Sequence, residues 1–286
     1  MKRKIAAVVI VLSVLLTAFS LYASRHFLQC SYYELSDDRI KEPFRIVLLS
    51  DLHNSVFGEN NEKLIKKILE QEPDLILITG DLINETEEDL SIALGLIEAL
   101  SKKVPVYISL GNHEINYETR FNTNITTLYE RAGARVLDFA YEDIHVNGQM
   151  IRLGGIYGYC LTEKYLSTGE AKEDEVSFIK GFQDTDLYTI LMCHMPVTWI
   201  INNSLNEWDC DFVLCGHAHG GQIRIPFVGG LYAPDQGIFC GKEAGLYYSD
   251  NKEKIMLLTR GLGTARKIPR MNNIPEIVVI NMKTMQ

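Results

Sequence analysis

Residues 45–53 read RIVLLSDLH, so a run of apolar residues passes directly into Asp51 and His53. An unbroken run of this length, rich in branched side chains, predicts a short strand that is buried on both faces. Four more such runs end in polar residues, and they are 75–81 (LILITGD), 105–114 (PVYISLGNHE), 187–194 (LYTILMCH) and 212–219 (FVLCGHAH). Five buried strands of this kind predict a layered α/β fold with a functional site at the strand ends.

Helical patterns separate the first three of these strands. One amphipathic pattern covers 64–69 and another covers 90–100, so the first half of the chain is predicted to be β-α-β-α-β. Short strand-like pieces follow over 134–154, where Asn147-Gly148 predicts a hairpin turn. Three further strand patterns lie near the C-terminus, at 245–248, 255–259 and 277–281. This order fits two sheets with helices on the outside better than one doubly wound sheet.

The composition describes a large and acidic globular body. The chain has 286 residues, of which 47% are apolar, enough for one generous core or two small ones. Beyond residue 24 it carries 25 Lys and Arg against 37 Asp and Glu, a net charge of −12. A body this acidic repels a polyanion, so we expect no nucleic-acid polymer as a partner. An enzyme of this charge that met an anionic group such as phosphate would need cations supplied locally, and the sequence indicates no particular oligomeric state.

The N-terminus contains an apolar segment at 5–22, which as a helix nearly spans the hydrocarbon core of a bilayer. We interpret it as an uncleaved membrane anchor. A cleaved signal segment, with Ala18-Phe19-Ser20 as its small-x-small site, and a buried core helix are the alternatives. The basic residues at 2–4 precede the segment, so the positive-inside rule predicts a single-pass protein of the cell membrane with its body outside the cytoplasm.

These observations divide the chain into three parts. We predict a membrane anchor or signal segment at 1–24, a tether at 25–43 and one catalytic domain at 44–286. No internal repeat and no linker rich in Pro or Gly divides the catalytic domain further.

The polar residues at the five strand ends are metal-ligand types, namely Asp51, His53, Asp81, Asn112, His113, His194, His217 and His219. Taken singly, an Asp after a strand is usually a turn or N-cap residue, and a lone His is usually structural. Because side chains at the carboxyl ends of strands converge on one crevice, the set as a whole predicts a metal site. Even with one histidine set aside, the donors are too many for one four-coordinate ion and suit two ions that share a carboxylate.

Five motifs in a fixed order carry a family resemblance, and they are D-x-H at 51–53, G-D at 80–81, G-N-H-E at 111–114, the His at 194 and G-H-A-H at 216–219. They make the body from about residue 44 to 281 resemble the calcineurin-like metallophosphoesterases. The strings GHAHGGQ at 216–222 and TRGLGT at 259–264 resemble the bacterial, membrane-associated phosphodiesterase branch of that superfamily. The resemblance implies a four-layer α-β-β-α sandwich of two mixed sheets flanked by helices, with a dinuclear metal site between the sheets.

The resemblance also implies a role for each residue. The first ion takes Asp51, His53 and His219, and the second takes Asn112, His194 and His217. The bridging carboxylate is Asp81, and His113 is a catalytic non-ligand that faces the leaving group. Oxygen and imidazole donors without thiolate fit two divalent ions, of which Mn is favoured by the resemblance and Fe, Zn or Co are alternatives.

The leading hypothesis is a metal-dependent phosphodiesterase that hydrolyses a lipid-linked or cell-envelope phosphate ester by means of metal-activated water. The alternatives are a small-nucleotide phosphodiesterase and a protein-binding scaffold built on the same fold. Related enzymes often place an acidic pair after a Gly-Ile or Gly-Val strand, where this chain has GIYGYC at 155–160. That departure leaves the choice of substrate open.

Overall fold

Two six-stranded sheets face each other in the computed structural model, which describes residues 1–239, 241–264 and 268–285. In chain order the strands are β1 (Gln29–Asp37), β2 (Phe44–Leu49), β3 (Leu75–Thr79), β4 (Val106–Ser109), β5 (Arg135–Val136), β6 (Ala140–Val146), β7 (Gln149–Ile156), β8 (Tyr188–Cys193), β9 (Phe212–Cys215), β10 (Arg224–Ile225), β11 (Gly229–Gly230), β12 (Tyr232–Ala233), β13 (Gly237–Ile238), β14 (Gly245–Tyr248), β15 (Ile255–Leu258) and β16 (Glu276–Thr284).

The α-helices of the described residues are α1 (Lys2–His26), α2 (Glu62–Leu69), α3 (Ser91–Ser101), α4 (Asn112–Phe121), α5 (Ile125–Arg131), α6 (Glu173–Phe182), α7 (Val197–Ile200) and α8 (Ser204–Glu207). Short 3-10 turns cover Glu59–Asn61, Glu163–Thr168 and His219–Gly221.

Both sheets are mixed. The first has the order β1-β16-β2-β3-β4-β5 and is parallel except between β16 and β2. The second has the order β14-β15-β9-β8-β7-β6, with its antiparallel pairs at the two edges. The predicted turn at Asn147-Gly148 joins β6 to β7, and both of its residues have a positive φ, as a two-residue hairpin turn requires.

Three apolar layers separate the sheets and helices, because successive side chains of a strand point to opposite faces. Ile46 and Leu48 of β2 pack into the layer between the two sheets, whereas Val47 and Leu49 face α2 and α3. The outer face of the second sheet packs against α6 and against Trp199 of α7. The predicted four-layer α-β-β-α sandwich of two mixed sheets is therefore confirmed.

The prediction of a tether over 25–43 is wrong for most of its length. β1 occupies Gln29–Asp37 and pairs in parallel with all nine residues of β16, so this segment is the edge strand of the first sheet. Beyond it, Ile40 is fully buried, and Arg39 forms ion pairs with Asp37 and Asp211. The segment reads as polar in the sequence because an edge strand buries only part of its surface.

Among the described residues, α1 is the one helix long and apolar enough to cross a membrane, and by the same test it could be a signal sequence. Its last turns are fixed to the body. Ala23 and Ser24 are buried, and the Ser24 hydroxyl accepts the backbone N–H of Asn273 at 3.1 Å. One turn earlier, the Ser20 hydroxyl and Asn272 exchange two hydrogen bonds of 2.7 Å.

Candidate metal centre

The carboxyl ends of β2, β3, β4, β8 and β9 converge at one edge of the sandwich, and hydrogen bonds hold their loops together. The backbone N–H of His217, after β9, donates to Asp51, after β2, at 3.0 Å. The backbone N–H of His113 donates to Asp81 Oδ1 at 2.9 Å. In both contacts a carboxylate of one loop binds the backbone of another loop. Asp51 therefore helps to position His217, and Asp81 helps to position His113.

Five of the eight predicted site residues have a positive φ, which few residues other than glycine adopt, namely Asp51, His53, Asp81, His217 and His219. The tight turns are possible because glycines sit between them. A Cβ at Gly80 would lie 2.3 Å from the backbone nitrogen of Gly111, and a Cβ at Gly216 would lie 2.0 Å from the Ser50 hydroxyl. Strained backbone of this kind clusters at functional sites, where the surrounding structure holds it in place.

Asp81 lies at the centre of the cluster. One oxygen, Oδ2, is 3.6 Å from His53 Nε2 and 3.3 Å from His194 Nε2. On one side of this carboxylate, Asp51 Oδ1 is 3.9 Å from His53 Nε2 and 3.7 Å from His219 Nε2. On the other side, His217 has a ring nitrogen within 4.8 Å of the ligand atoms of Asp81 and His194. The side chains therefore form two ligand groups that meet at Asp81.

The donor atoms of this cluster fit metal ions. Both ring nitrogens of His53, Nε2 of His194, Nδ1 of His219 and Oδ1 of Asn112 are buried and have no hydrogen-bond partner among the described residues. A buried polar atom without a partner is costly, and such atoms are rare in native proteins. Nδ1 of His194 donates to the carbonyl of Thr79 at 2.6 Å, which leaves its Nε2 with a free lone pair for a cation.

Burial controls the charge of these rings. It lowers the pKa of His53 to about 3, which favours the neutral imidazole that a metal needs. Burial, reinforced by Arg270, also holds the pKa of His219 well below its ordinary value. Burial opposes the charged form of His194 too, but Asp81 outweighs it and raises the pKa of that ring to about 10. In the protein alone, a proton on His194 thus balances the buried Asp81, whose pKa lies well below its ordinary value.

Asp235 is a site residue that the sequence reasoning missed. Its carboxylate accepts a hydrogen bond from Nε2 of His217 at 2.9 Å, so Nδ1 is the ring nitrogen that His217 can offer to a metal. Histidine ligands commonly donate their second N–H to a carboxylate in this way. The residue lies between β12 and β13, outside every strand-end motif, and no signal in the sequence connects it with His217.

His113 lines the narrow cleft beside Asp81 and Asn112, and its ring lies 4.6 Å from the His53 ring between centroids. The backbone N–H of Glu85 donates to its Nδ1 at 3.1 Å, so the proton of a neutral His113 ring resides on Nε2. That nitrogen remains free to face a bound molecule. Tyr232, Pro234 and Ile268 form the opposite wall of the cleft.

Glu114 organises the two turns that carry Asp81 and Asn112. It is the last residue of the G-N-H-E motif, and its carboxylate is fully buried. Oε2 accepts the backbone N–H groups of Asp81 and Gly111 at 2.7 and 2.9 Å. Oε1 accepts the N–H of Leu82 at 2.8 Å and the hydroxyl of Tyr129 at 3.0 Å. The carboxylate is therefore structural and does not reach the cleft.

Three arginines near the site, whose charge would suit a phosphate, are bound instead to structural partners. Arg270 is buried and donates to the carbonyls of Gly263, Arg260 and Asn273. Arg260 forms an ion pair with Glu276 at 3.0 Å, and Arg224 donates to the carbonyl of Gly220. Their guanidinium groups are committed to the loops around the site.

Comparison with known proteins agrees with this geometry. The family model described as calcineurin-like phosphoesterase matches residues 44–221, which is more than half of the chain. The chain belongs to the calcineurin-like phosphoesterase family. It is thus a metallophosphoesterase, a hydrolase class that acts on phosphate esters, and its clustered His and Asp side chains suggest a divalent dimetal site.

Similar proteins of this phosphoesterase family span nearly the same length. Phosphodiesterase YaeI of Escherichia coli K12 is 27% identical over 268 residues, which cover 90% of this chain and 91% of that one. An uncharacterized metallophosphoesterase of Bacillus subtilis, YkuE, is 26% identical over 287 residues and covers 94% and 92%. Among solved structures, a dimetal phosphatase from Danio rerio covers 76% of this chain and 87% of its own, with a TM-score of 0.45 and 10% identity.

We expect Glu114→Gln to destabilise this phosphoesterase by about 2–3 kcal/mol, because the amide nitrogen replaces an acceptor and leaves buried N–H groups without a partner. Chemical denaturation monitored by circular dichroism measures the free energy of unfolding. Glu87→Gln, which changes an exposed residue of the loop between β3 and α3, is the matched control and should change stability by less than about 0.5 kcal/mol. Equal stability of the two variants would contradict the structural role of Glu114.

Proposed function

We propose that this metallophosphoesterase is a phosphodiesterase that uses two divalent ions to hydrolyse a lipid-linked or cell-envelope phosphate ester. The observation that carries the proposal is the position of Asp81 Oδ2, 3.6 Å from His53 Nε2 and 3.3 Å from His194 Nε2. This carboxylate oxygen lies between the imidazole of His53 in one ligand group and that of His194 in the other. Two ions that share a bridging ligand require such an arrangement. The unpartnered nitrogens of both rings support it.

We assign the ligands to two ions that Asp81 bridges. The first ion takes Asp51, His53 and His219, and the second takes Asn112, His194 and His217. A third grouping of His53, Asp81 and His113 lies within the same 4.8 Å limit, but it shares two members with the other sets. His113 is therefore the one member that two ions leave unused, which supports its assignment as a catalytic residue. Mn is the favoured metal, with Fe, Zn or Co as alternatives.

When bound, two divalent ions would offset the negative charge of the phosphoryl oxygens and would make water a stronger nucleophile at neutral pH. The residues of the chain do the remaining work. Asp51 and Asp81 offset the charge of the cations, and Asp235 orients the His217 ring. His113 shares the Nε2 proton of its neutral ring with the leaving oxygen through a hydrogen bond that offsets the charge developing there, because Glu85 occupies its Nδ1. Tyr232, Pro234 and Ile268 narrow the cleft and limit the approach of bulk water.

Two observations bear on the substrate. The similar protein from Escherichia coli is named a phosphodiesterase, which supports a diester over a monoester. The net charge of −12 beyond residue 24 opposes binding of a long polyanion and leaves the cations as the main attraction for phosphate.

We further propose that α1 is an uncleaved anchor and that the protein is a single-pass protein of the cell membrane with its phosphoesterase domain outside the cytoplasm. The contacts of the last turns of α1 support an anchor that stays attached, since Ser24 accepts a hydrogen bond from Asn273. Asn273 in turn donates to the carbonyl of His219 at 2.7 Å, so the end of the helix supports the turn that carries the proposed ligand His219. Lys2, Arg3 and Lys4 at the start of the helix set the orientation.

We expect Asp81→Asn to remove both ions together for two reasons. The amide carries no negative charge to offset two cations, and it has one oxygen donor where the carboxylate has two. Elemental analysis of the purified protein should show well below two equivalents of metal, with activity on a chromogenic diester lost. Asp250→Asn, an exposed residue between β14 and β15, is the matched control and should keep both ions. Two retained equivalents with normal turnover in Asp81→Asn would remove it from the bridge.

We expect His113→Gln to keep its metal and to lower kcat by about 10²–10⁴-fold on a diester with a poor leaving group. The loss should shrink as the leaving group becomes more acidic, because a good leaving group needs no proton. Steady-state kinetics over leaving groups with pKa values from about 4 to 10 measures this dependence.

The control for that series is His145→Gln, which changes an exposed histidine of β6 and should leave kcat unaltered. A constant loss across the whole series for His113→Gln would indicate that the ring positions the substrate and does not supply a proton.

The topology is tested by a reporter fused after Gln286. We expect an enzyme that is active only after export to be active in this position, because the positive-inside rule keeps residues 2–4 in the cytoplasm. A fusion to a cytoplasmic reporter is the control. Activity of the cytoplasmic reporter with an inactive exported one would overturn the orientation.

A further inference from the structure

Four large apolar side chains lie exposed on two loops beside the cleft, and we call Phe227, Val228, Ile238 and Phe239 the apolar rim. Phe227 is fully exposed, and the other three are 60–68% exposed. Two pairs of consecutive exposed apolar residues on neighbouring hairpins exceed the single scattered apolar side chains that the surface of a soluble monomer normally carries.

The two aromatic residues of the apolar rim occupy unfavourable backbone conformations. Phe227 has a φ of 66° and Phe239 a φ of 55°, in the left-handed region that bulky side chains rarely adopt. Gly or Asn would suit these positions better, and either would also avoid exposing an aromatic ring to water. Local stability therefore does not explain the choice of Phe, which indicates that the rings contact something outside the folded chain.

The apolar rim lies outside the cleft but is joined to residues that line it. The N–H of Phe239 donates to the carbonyl of Leu231 at 2.8 Å, and the next residue, Tyr232, lines the cleft. The hairpin of β10 and β11, which carries Phe227 at its tip, follows Gln222, another cleft residue. Whatever contacts the rim lies beside the entrance to the metal centre.

The apolar rim is also connected to α1 through one residue. The side chain of Asn272 donates to the carbonyl of Arg224 in β10 at 3.2 Å, and the same residue is bonded to Ser20 of α1. Phe227 is three residues from Arg224, a reach of at most about 11 Å. Ser20 lies one helical turn closer to the apolar part of α1 than Ser24 does. Through Asn272, the first strand of the hairpin is therefore connected to α1 at Ser20, close to the apolar part of the helix.

We propose that the apolar rim inserts into the surface of the lipid bilayer that α1 spans and holds the mouth of the cleft against that bilayer. The inference rests on the proposed membrane anchoring of α1, and it defines the substrate class as phosphodiesters of membrane-embedded lipids. A lipid headgroup enters the cleft while its acyl chains remain in the bilayer. Because the body is acidic, apolar insertion and not attraction to anionic headgroups provides the contact.

The test reports the depth of the rim directly. Full-length Phe227→Trp is reconstituted into phosphatidylcholine vesicles, with or without brominated acyl chains, and the fluorescence of the wild type, which comes from the buried Trp199 and Trp208, is subtracted. We expect a blue shift and at least twofold quenching by the brominated lipid. Tyr248→Trp is the matched control, since Tyr248 is exposed at the opposite end of the second sheet and should be quenched by aqueous iodide only.

Val228→Trp provides a second reporter in case tryptophan at position 227 prevents folding. Quenching of the rim reporters by iodide and not by brominated lipid would overturn the proposal. A blue shift already present in detergent, together with a dimer in analytical ultracentrifugation, would identify a second copy of the chain as the partner and would also overturn it.

A second measurement concerns turnover. The variant Phe227→Asp/Phe239→Asp should lose about tenfold or more in the rate on a lipid whose headgroup carries a chromogenic phosphodiester in those vesicles. Its rate on a water-soluble diester should change less than threefold, and Tyr248→Asp should change neither rate. Equal losses on the two substrates would show that the rim stabilises the cleft and would overturn membrane docking.

Vesicle flotation separates this inference from the proposed function. If the wild type does not float with the vesicles, the proposed anchor fails and the rim proposal fails with it. If it floats and cleaves the soluble diester, but the rim reporters stay in water, the proposed function stands and only the docking of the rim is wrong.

Discussion

Two hydrogen bonds between the sheets align the site, one from the backbone N–H of His217 to the carboxylate of Asp51 at 3.0 Å and one from Nδ1 of His194 to the carbonyl of Thr79 at 2.6 Å. Asp51 and Thr79 lie at the ends of β2 and β3 in the first sheet, whereas His217 and His194 follow β9 and β8 in the second. The two contacts therefore fix the relative position of the layers at this end, and apolar side chains fill the space between the sheets. Apolar packing sets the distance between sheets but has little directional preference. Directional contacts at the strand ends supply the alignment that ligand groups from both sheets need if they are to hold two ions, as proposed.

The same region concentrates unfavourable features that a metal relieves. Candidate ligand residues hold positive φ angles, and several buried ring nitrogens lack hydrogen-bond partners within the described part of the chain. Each of these reduces the stability of the folded chain, and the surrounding contacts compensate. Glu114 binds two turns through four accepted hydrogen bonds, and Arg270 binds the loop on the other side. Rigid support is what allows cation ligands to be held in place before a cation arrives.

The N-terminal helix is part of this support. A flexible tether would let the phosphoesterase domain move freely relative to the helix. Here only two residues separate the end of α1 from β1, and β1 is an edge strand that pairs along its full length with β16. Through Ser24 and Asn273 the helix also contacts the carbonyl of His219. The orientation of the cleft relative to the helix is therefore determined by the fold, which limits the substrates that can approach it.

The sequence by itself determined the buried strands, the layered α/β class and the identity of the strand-end residues, because hydrophobic periodicity and glycine-flanked polar motifs are local properties of the chain. It also identified the family through the order of five motifs. The four-layer arrangement followed from the family resemblance. Only the tertiary structure decided that 29–37 is a strand, that Asp235 binds His217 and that Glu114 is structural. Each of these depends on a partner distant in sequence: β16 for the edge strand, a loop beyond β12 for His217, and the turn after β3 for Glu114. Local pattern carries no record of such partners, since the free energy that selects them arises only when the layers pack together.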